Sequence, residues 1–335
     1  MHAHADHFQK PVSKILSLIL IFVSIFIFNI SLPHSTVTQI EQTSGTIEVQ
    51  TDTNQAIKID PTDPILDSVT LGSKIETQDL GDNQFTIADI YRLPGIKLSL
   101  LIFVLACLAI TKGRAVGSLV SIVFSILIIF NFTLPLILAG YNPILICLLS
   151  CIALVPCSFY LSHGFNKKAH LASISSLITL AIAGVLTVAF SKLTSLTGLS
   201  SEEARFLMIG ETSTLDFKGI LFGGIMISLI GILDDITITQ TSIVEKLKKN
   251  KTKHAFKEAM NIGQDHIASL INTIFLIYAG AVLPTLLLFA VNPQSLAGLL
   301  NFEPLAEEVI RSIIGSLSLI LAVPISTWFA EKNYK

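Results

Sequence analysis

Apolar runs long enough to cross a lipid bilayer recur along this chain, and they restrict its fold more than any other feature. Backbone N–H and C=O groups find no water in hydrocarbon, so a run of roughly 18 or more apolar residues reads as a spanning helix. Eight such runs are legible, at residues 14–32, 96–111, 116–138, 143–161, 169–191, 218–239, 267–291 and 309–329. Composition agrees: 51% of the chain is hydrophobic and 14% charged, where a soluble domain carries about a quarter of charged residues. The expected fold is an all-α polytopic membrane protein of about eight transmembrane helices.

The expected organisation follows from these runs. Residues 1–13 form a tail, 14–32 a membrane anchor, 33–94 an extracytoplasmic domain, 95–330 a seven-helix membrane domain and 331–335 a second tail. The first run follows Lys10 and Lys14 as a secretory signal does, but "NISLPHST" offers no small-x-small cleavage site, so an uncleaved anchor is expected. With the N-terminus inside, fourteen lysines and arginines fall in the cytoplasmic segments and seven in the longer outer ones. That bias places both termini in the cytoplasm, with the bacterial plasma membrane as the expected location.

Residues 33–94 carry the short alternating runs "GTIEVQT" and "SKIETQ" and then "FTIADIYRLPG", the pattern of a small β-rich module. Some 60 residues bury little core, so support from the membrane part or a partner is expected. Ten acids lie between Glu41 and Asp89, against Lys58, Lys74 and Arg92. Such a charge either concentrates cations at an outer mouth or simply keeps an exposed domain soluble.

Charge inside a span is expensive, which makes an ionisable residue there a functional candidate. The sixth run, "KGILFGGIMISLIGILDDITITQTSIVEKLKK", holds Asp234 and Asp235. Asp234 follows Lys218 by sixteen residues, about 24 Å of helix, in the inner part of the membrane core. Thr237, Thr239, Gln240, Thr241 and Ser242 extend the polarity, and Gly219, Gly223, Gly224, Ser228 and Gly231 provide small-residue packing positions. Asp265 and His266 stand at the entrance of the seventh run, with Ser269 and Asn272 deeper. A short connection makes the two helices antiparallel neighbours, so the Asp234/Asp235 and Asp265/His266 pairs are expected to approach each other. The bland alternatives are a buried hydrogen-bond network for the first pair and, for Asp265, a helix cap.

Other features weigh less. Cys107, Cys147, Cys151 and Cys157 all sit in apolar runs without zinc-site or disulfide spacing and read as small hydrophobes. Pro135, Pro156, Pro284 and Pro324 lie inside spans, each freeing a carbonyl. Glu307 and Arg311 are one turn apart at the outer start of the last run and are expected to pair. The three histidines of "MHAHADH" are a weak metal signal.

Together "DDITITQTS", "NIGQDHIASLINTIFLIYAGAVLP" and "IYRLPG" resemble the YibE/F family of bacterial membrane proteins, over most of the chain after about residue 89. The resemblance implies an aspartate, threonine and glutamine stretch closing one span and a Gly-polar-Asp-His group opening the next. Those positions are Asp234, Asp235, Thr239, Gln240, Gly263, Gln264, Asp265 and His266. It also implies self-association or a related membrane subunit as partner, and it names no substrate.

Three functions compete. The first is a permease or channel for a cation or small solute, bound by Asp234, Asp235, Thr239, Gln240, Asp265, His266 and Asn272. The second is a non-catalytic subunit that binds a partner through its outer domain. The third is an intramembrane hydrolase, which ranks last: adjacent aspartates diverge by about 100°, and no Gly-x-Ser-x-Gly, His-Glu-x-x-His or P-loop pattern is present. No cofactor is expected and no metal is specified. Nucleic acid is not an expected partner, because orientation and anionic lipid account for the basic cluster Lys246 to Lys257.

Overall fold

A computed structural model of the chain describes residues 32, 34–43, 46–53, 56–59, 68–81, 84–111, 115–209, 214–292 and 295–334. The chain divides into two compact units, Met1–Val116 and Gly117–Lys335.

In the first unit, the alternating runs become strands β1 (Ser35–Thr43), β2 (Thr46–Thr51), β3 (Ala56–Ile59), β4 (Lys74–Gly81) and β5 (Gln84–Ile90). They close a barrel in the order β1-β2-β3-β5-β4, with β3 and β5 parallel and the other pairs antiparallel. This is the strand order of the OB-type five-stranded Greek-key barrel. Val37, Val49, Ile57, Val69 and Ile75 fill it, backed by Ile47, Phe85 and Ile87. Alternate residues point outward, and the register sets Glu41 opposite Glu48 and Glu76 opposite Asp89. Helix α1 (Leu93–Thr111) follows, with Leu98, Leu101, Ile102 and Leu105 exposed, as suits a helix in lipid.

The second unit is helical. The run 116–138 is one bent element: α2 (Ala115–Ile128), a π turn at Ile129–Thr133, and α3 (Leu134–Leu138). Pro135 cannot donate to the carbonyl of Asn131, which explains a wider turn at this point. Three polar caps then set the starts of long helices. Asn142 accepts from Leu145 N at the head of α4 (Pro143–His163), and Asn166 from Ala169 N at α5 (Lys167–Leu193). After the short α6 (Glu202–Met208), Asp216 accepts from Gly219 N at α7 (Phe217–Lys249). The chain continues through α8 (Ala255–Ala281), α9 (Leu283–Val291), α10 (Leu296–Asn301) and α11 (Glu303–Asn333).

Among the described residues, six helices are long and apolar enough to cross a membrane; α8 and α9, bent by 64°, make a seventh if counted as one span. The bend falls at Val282, two residues before Pro284, whereas α4 and α11 run unbroken through Pro156 and Pro324. The run 14–32 lies outside the described residues apart from Leu32, so the expected total of eight is not established.

Helix α7 is the centre of this unit and packs against α4, α5, α8 and α11. Leu221, Phe222, Ile225, Met226, Leu229, Leu233 and Ile236 all point inward from it. Its glycines divide into two sets. Gly223 faces α4 so closely that a Cβ there would lie 2.2 Å from Cys147 Sγ, while Gly224 and Gly231 face open space. The helices alternate in direction, and the C-termini of α4, α7 and α11 share one basic end with the N-termini of α5 and α8. Lys167 Nζ donates to Asn333 O at 2.5 Å there, and Lys248 lies 3.5 Å from Glu331.

Candidate functional site

Most hydroxyl groups within the spans are satisfied locally. Ser175, Thr179, Thr187, Thr241 and Ser318 each donate to the carbonyl four residues earlier, which stabilises a polar group in apolar surroundings without a partner helix. The side chains that reach across helices therefore stand out.

The foremost is Asp234. On α7 it faces α4, and Ser158 Oγ donates to its Oδ2 at 2.7 Å. Its Oδ1 is buried with no hydrogen-bond partner among the described residues. Asp235, about 100° further round the helix, is exposed. The two carboxylates thus have different surroundings, as the divergence of neighbouring side chains requires. His163 closes α4 five residues after Ser158, is itself exposed, and lies within electrostatic reach of Asp234, Asp235 and Lys168. Its ring centroid is 6.3 Å from that of Phe159.

Two further polar contacts stack below Asp234 toward the basic end. Ser176 on α5 and Thr237 share a 2.8 Å hydrogen bond. Gln240, fully buried, donates through Nε2 to Ala259 O on α8 and to Thr327 Oγ1 on α11, both at 2.7 Å. Gly263 lets α8 close on this amide, since a Cβ there would lie 2.5 Å from Val323 Cγ1 and 3.0 Å from Gln240 Oε1. Gln240 is thus a three-helix tie. Thr239 is half-buried beside it.

The expected meeting of the two acidic pairs is not what the structure shows. Asp265, His266 and Asn272 are exposed on α8, and among the described residues no hydrogen bond or ion pair joins them to Asp234 or Asp235. The reason is helix phase. Ala255, Ala259, Gly263 and Ile274 are the buried positions of α8, and Asp265, two residues beyond Gly263, points about 200° away from that side. The cap reading of Asp265 also fails, because α8 begins at Ala255, after His254, and Asp265 lies well inside it.

At the opposite end, Glu307 and Arg311 pair as expected, at 2.6 Å. The surroundings were not legible in the sequence. Ser200 Oγ donates to Glu307 Oε2, Arg311 Nε lies 3.7 Å from Glu308 Oε2, and Thr197 donates twice to Glu303 Oε1, from N at 2.6 Å and from Oγ1 at 2.8 Å. The Arg311 guanidinium sits 5.8 Å from the Tyr278 ring centre, and Tyr278 Oη donates to Ser228 Oγ at 3.4 Å. Through Glu303 and Glu307, α11 thereby holds the segment between α5 and α6.

Among the described residues, no group of three or more His, Cys, Asp or Glu side chains is placed to hold a metal ion. The four cysteines are free, with Cys147 and Cys151 buried among apolar side chains. The "MHAHADH" segment lies outside the described residues.

A set of crossing-length apolar helices, with a half-buried aspartate bonded between two of them, defines an integral membrane protein. The family model for YibE/F-like proteins matches residues 99–335, and the chain belongs to the YibE/F family. Comparison with curated proteins and with solved structures finds no match for the chain.

Proposed function

We propose that the membrane unit is a permease or channel for a cation or small solute, and that Asp234 is the group at which the permeant charge is held. The observation that carries this reading is the state of that carboxylate. It lies about 26 Å along α7 from Phe217, one oxygen is bound by Ser158, and the other is buried without a partner among the described residues. A carboxylate is costly at membrane depth, and packing alone gives no reason to leave one of its oxygens open. On the positive-inside bias the basic end is cytoplasmic, so Asp234 lies nearer that side. Asp235, exposed one position on, adds negative charge to the approach.

The test is uptake into proteoliposomes across a panel of monovalent and divalent cations, comparing the wild type with Asp234→Asn and Asp235→Asn. An amide oxygen still accepts from Ser158, so the Asp234→Asn variant is expected to fold while its selective flux is lost. Absence of flux for every ion, with both proteins folded, would overturn the proposal.

One observation favours a second reading, partner binding through the barrel. Like charges facing each other across strands, as at Glu41 and Glu48, destabilise a sheet. A basic segment of a membrane partner lying over them would offset that cost. Under this reading, deleting residues 33–94 removes function while Asp234→Asn leaves it intact.

A further inference from the structure

The donor set around Asp234 says something about which ion it suits. Ca²⁺ takes six to eight oxygen ligands, whereas Asp234 offers one carboxylate, and its nearest bonded neighbour, Ser158 Oγ, already spends its hydrogen on Oδ2. A proton needs one lone pair. Oδ1 provides it, and it is buried where no hydrogen bond from the described residues occupies it.

A proton also needs a route to water, and α4 supplies a titratable group for it. His163 lies five residues beyond Ser158 on the same helix, about 7.5 Å nearer the basic end. It is the last residue of α4, ahead of Gly164, and exposed there. The charged groups facing it are Asp234 and Asp235 from α7 and Lys168 from α5. The groups facing Asp234 are Ser158 and His163 from α4 and Asp235 from its own helix. An exposed imidazole at a helix end, within electrostatic reach of a half-buried carboxylate, is an arrangement that a proton relay across intervening water can use.

We infer that the ion handled at Asp234 is a proton, and that His163 carries it between the water at the basic end and Asp234 Oδ1. The inference rests on the permease reading. In the loading step an imidazolium N–H bond breaks and an O–H bond forms at Oδ1, across intervening water where the gap exceeds a hydrogen bond. The imidazole is then reprotonated by a hydronium ion from the same aqueous side, so His163 is unchanged over the cycle. Ser158 is a positioning residue that holds Oδ2 and leaves Oδ1 as the protonation site.

The experiment uses the full-length protein in proteoliposomes with a pH-sensitive dye inside and an imposed proton gradient. The wild type should conduct protons and Asp234→Asn should not. His163→Gln should slow the flux by about a hundredfold, the scale of a lost general acid–base group, and added free imidazole should restore much of it. A merely structural role for His163 would not give that rescue. Infrared difference spectra between acidic and neutral pH should show a carboxyl C=O band that Asp234→Asn removes and His163→Gln retains. Unchanged proton flux in His163→Gln, or slowed flux that imidazole does not restore, overturns the relay. Proton conduction absent while flux of a metal cation still depends on Asp234 overturns the inference and leaves the permease reading standing. Absence of every flux overturns both.

Discussion

Ser158 Oγ donates to Asp234 Oδ2 at 2.7 Å, joining α4 to α7 at membrane depth. Interhelical hydrogen bonds in membranes are worth about 0.6 kcal/mol on average and about 1.7 at most. Ser158→Ala is therefore expected to lower stability by an amount in that range, and the double-mutant cycle with Asp234→Ala should return a coupling of the same size. Thermal unfolding of the detergent-purified protein measures it. A coupling of zero would mean that the two side chains do not act on each other.

Gly263 makes a sharper prediction. An added methyl group meets Val323 Cγ1 at 2.5 Å and Gln240 Oε1 at 3.0 Å, in a region closed by α7, α8 and α11. Val323 and Gln240 are both fully buried, so neither has free space to move into. Overpacking of this kind costs about 1–3 kcal/mol. Gly263→Ala should lower the unfolding temperature clearly, whereas Gly231→Ala, facing open space, should change it little. Equal effects of the two substitutions would refute the close approach of α8.

Asp234 was legible because charge inside an apolar run is conspicuous, but its partner was not. One serine in the apolar run around Ser158 looks like Ser175, which back-bonds within its own helix. Three-dimensional proximity alone separates the two cases. The expected approach of Asp265 to Asp234 went wrong on helix phase, although the signal existed. Ala255, Ala259 and Gly263, spaced by four, mark the packed side of α8, and that spacing places Asp265 on the far side. In the barrel, alternation revealed the strands, while the pairing of β3 with β5 and of β1 with β4 joins segments distant in sequence and left no local trace.

The Glu307–Arg311 pair has side-chain exposures of 10% and 21% and includes Glu308 as a third member. Removing one partner from a buried pair leaves the other charge uncompensated, at a cost of about 3–5 kcal/mol. Arg311→Met is thus expected to be severely destabilising. Adding Glu307→Gln to it should restore part of the loss, because the uncompensated negative charge falls. If the double variant is less stable than Arg311→Met alone, the pair is not the source of the effect.

The barrel carries a pH dependence that can be separated by residue. The backbone N–H of Thr36 donates to Asp52 Oδ1 at 2.8 Å and holds that carboxyl below its ordinary range. Asp89 is held low as well, chiefly by Arg92 at 2.5 Å. A depressed value in the folded state means that the stabilisation is complete above the unfolded value of about 3.9 and is lost as pH falls through the folded one. Asp52→Asn keeps an acceptor oxygen and removes the charge. It should therefore loosen β1 and β2 at neutral pH and match the wild type in strong acid. Hydrogen exchange of residues 35–51 in the full-length protein, taken as the ratio of variant to wild type at each pH, cancels the intrinsic pH dependence of exchange. That ratio is expected to fall toward one as pH drops through the lowered folded-state value of Asp52. Asp89→Asn should follow the same course at low ionic strength and fade in salt, because an exposed ion pair is screened while the bond from Thr36 is not. A ratio for Asp52→Asn that is flat from neutral pH to strong acid would remove Thr36 as the cause.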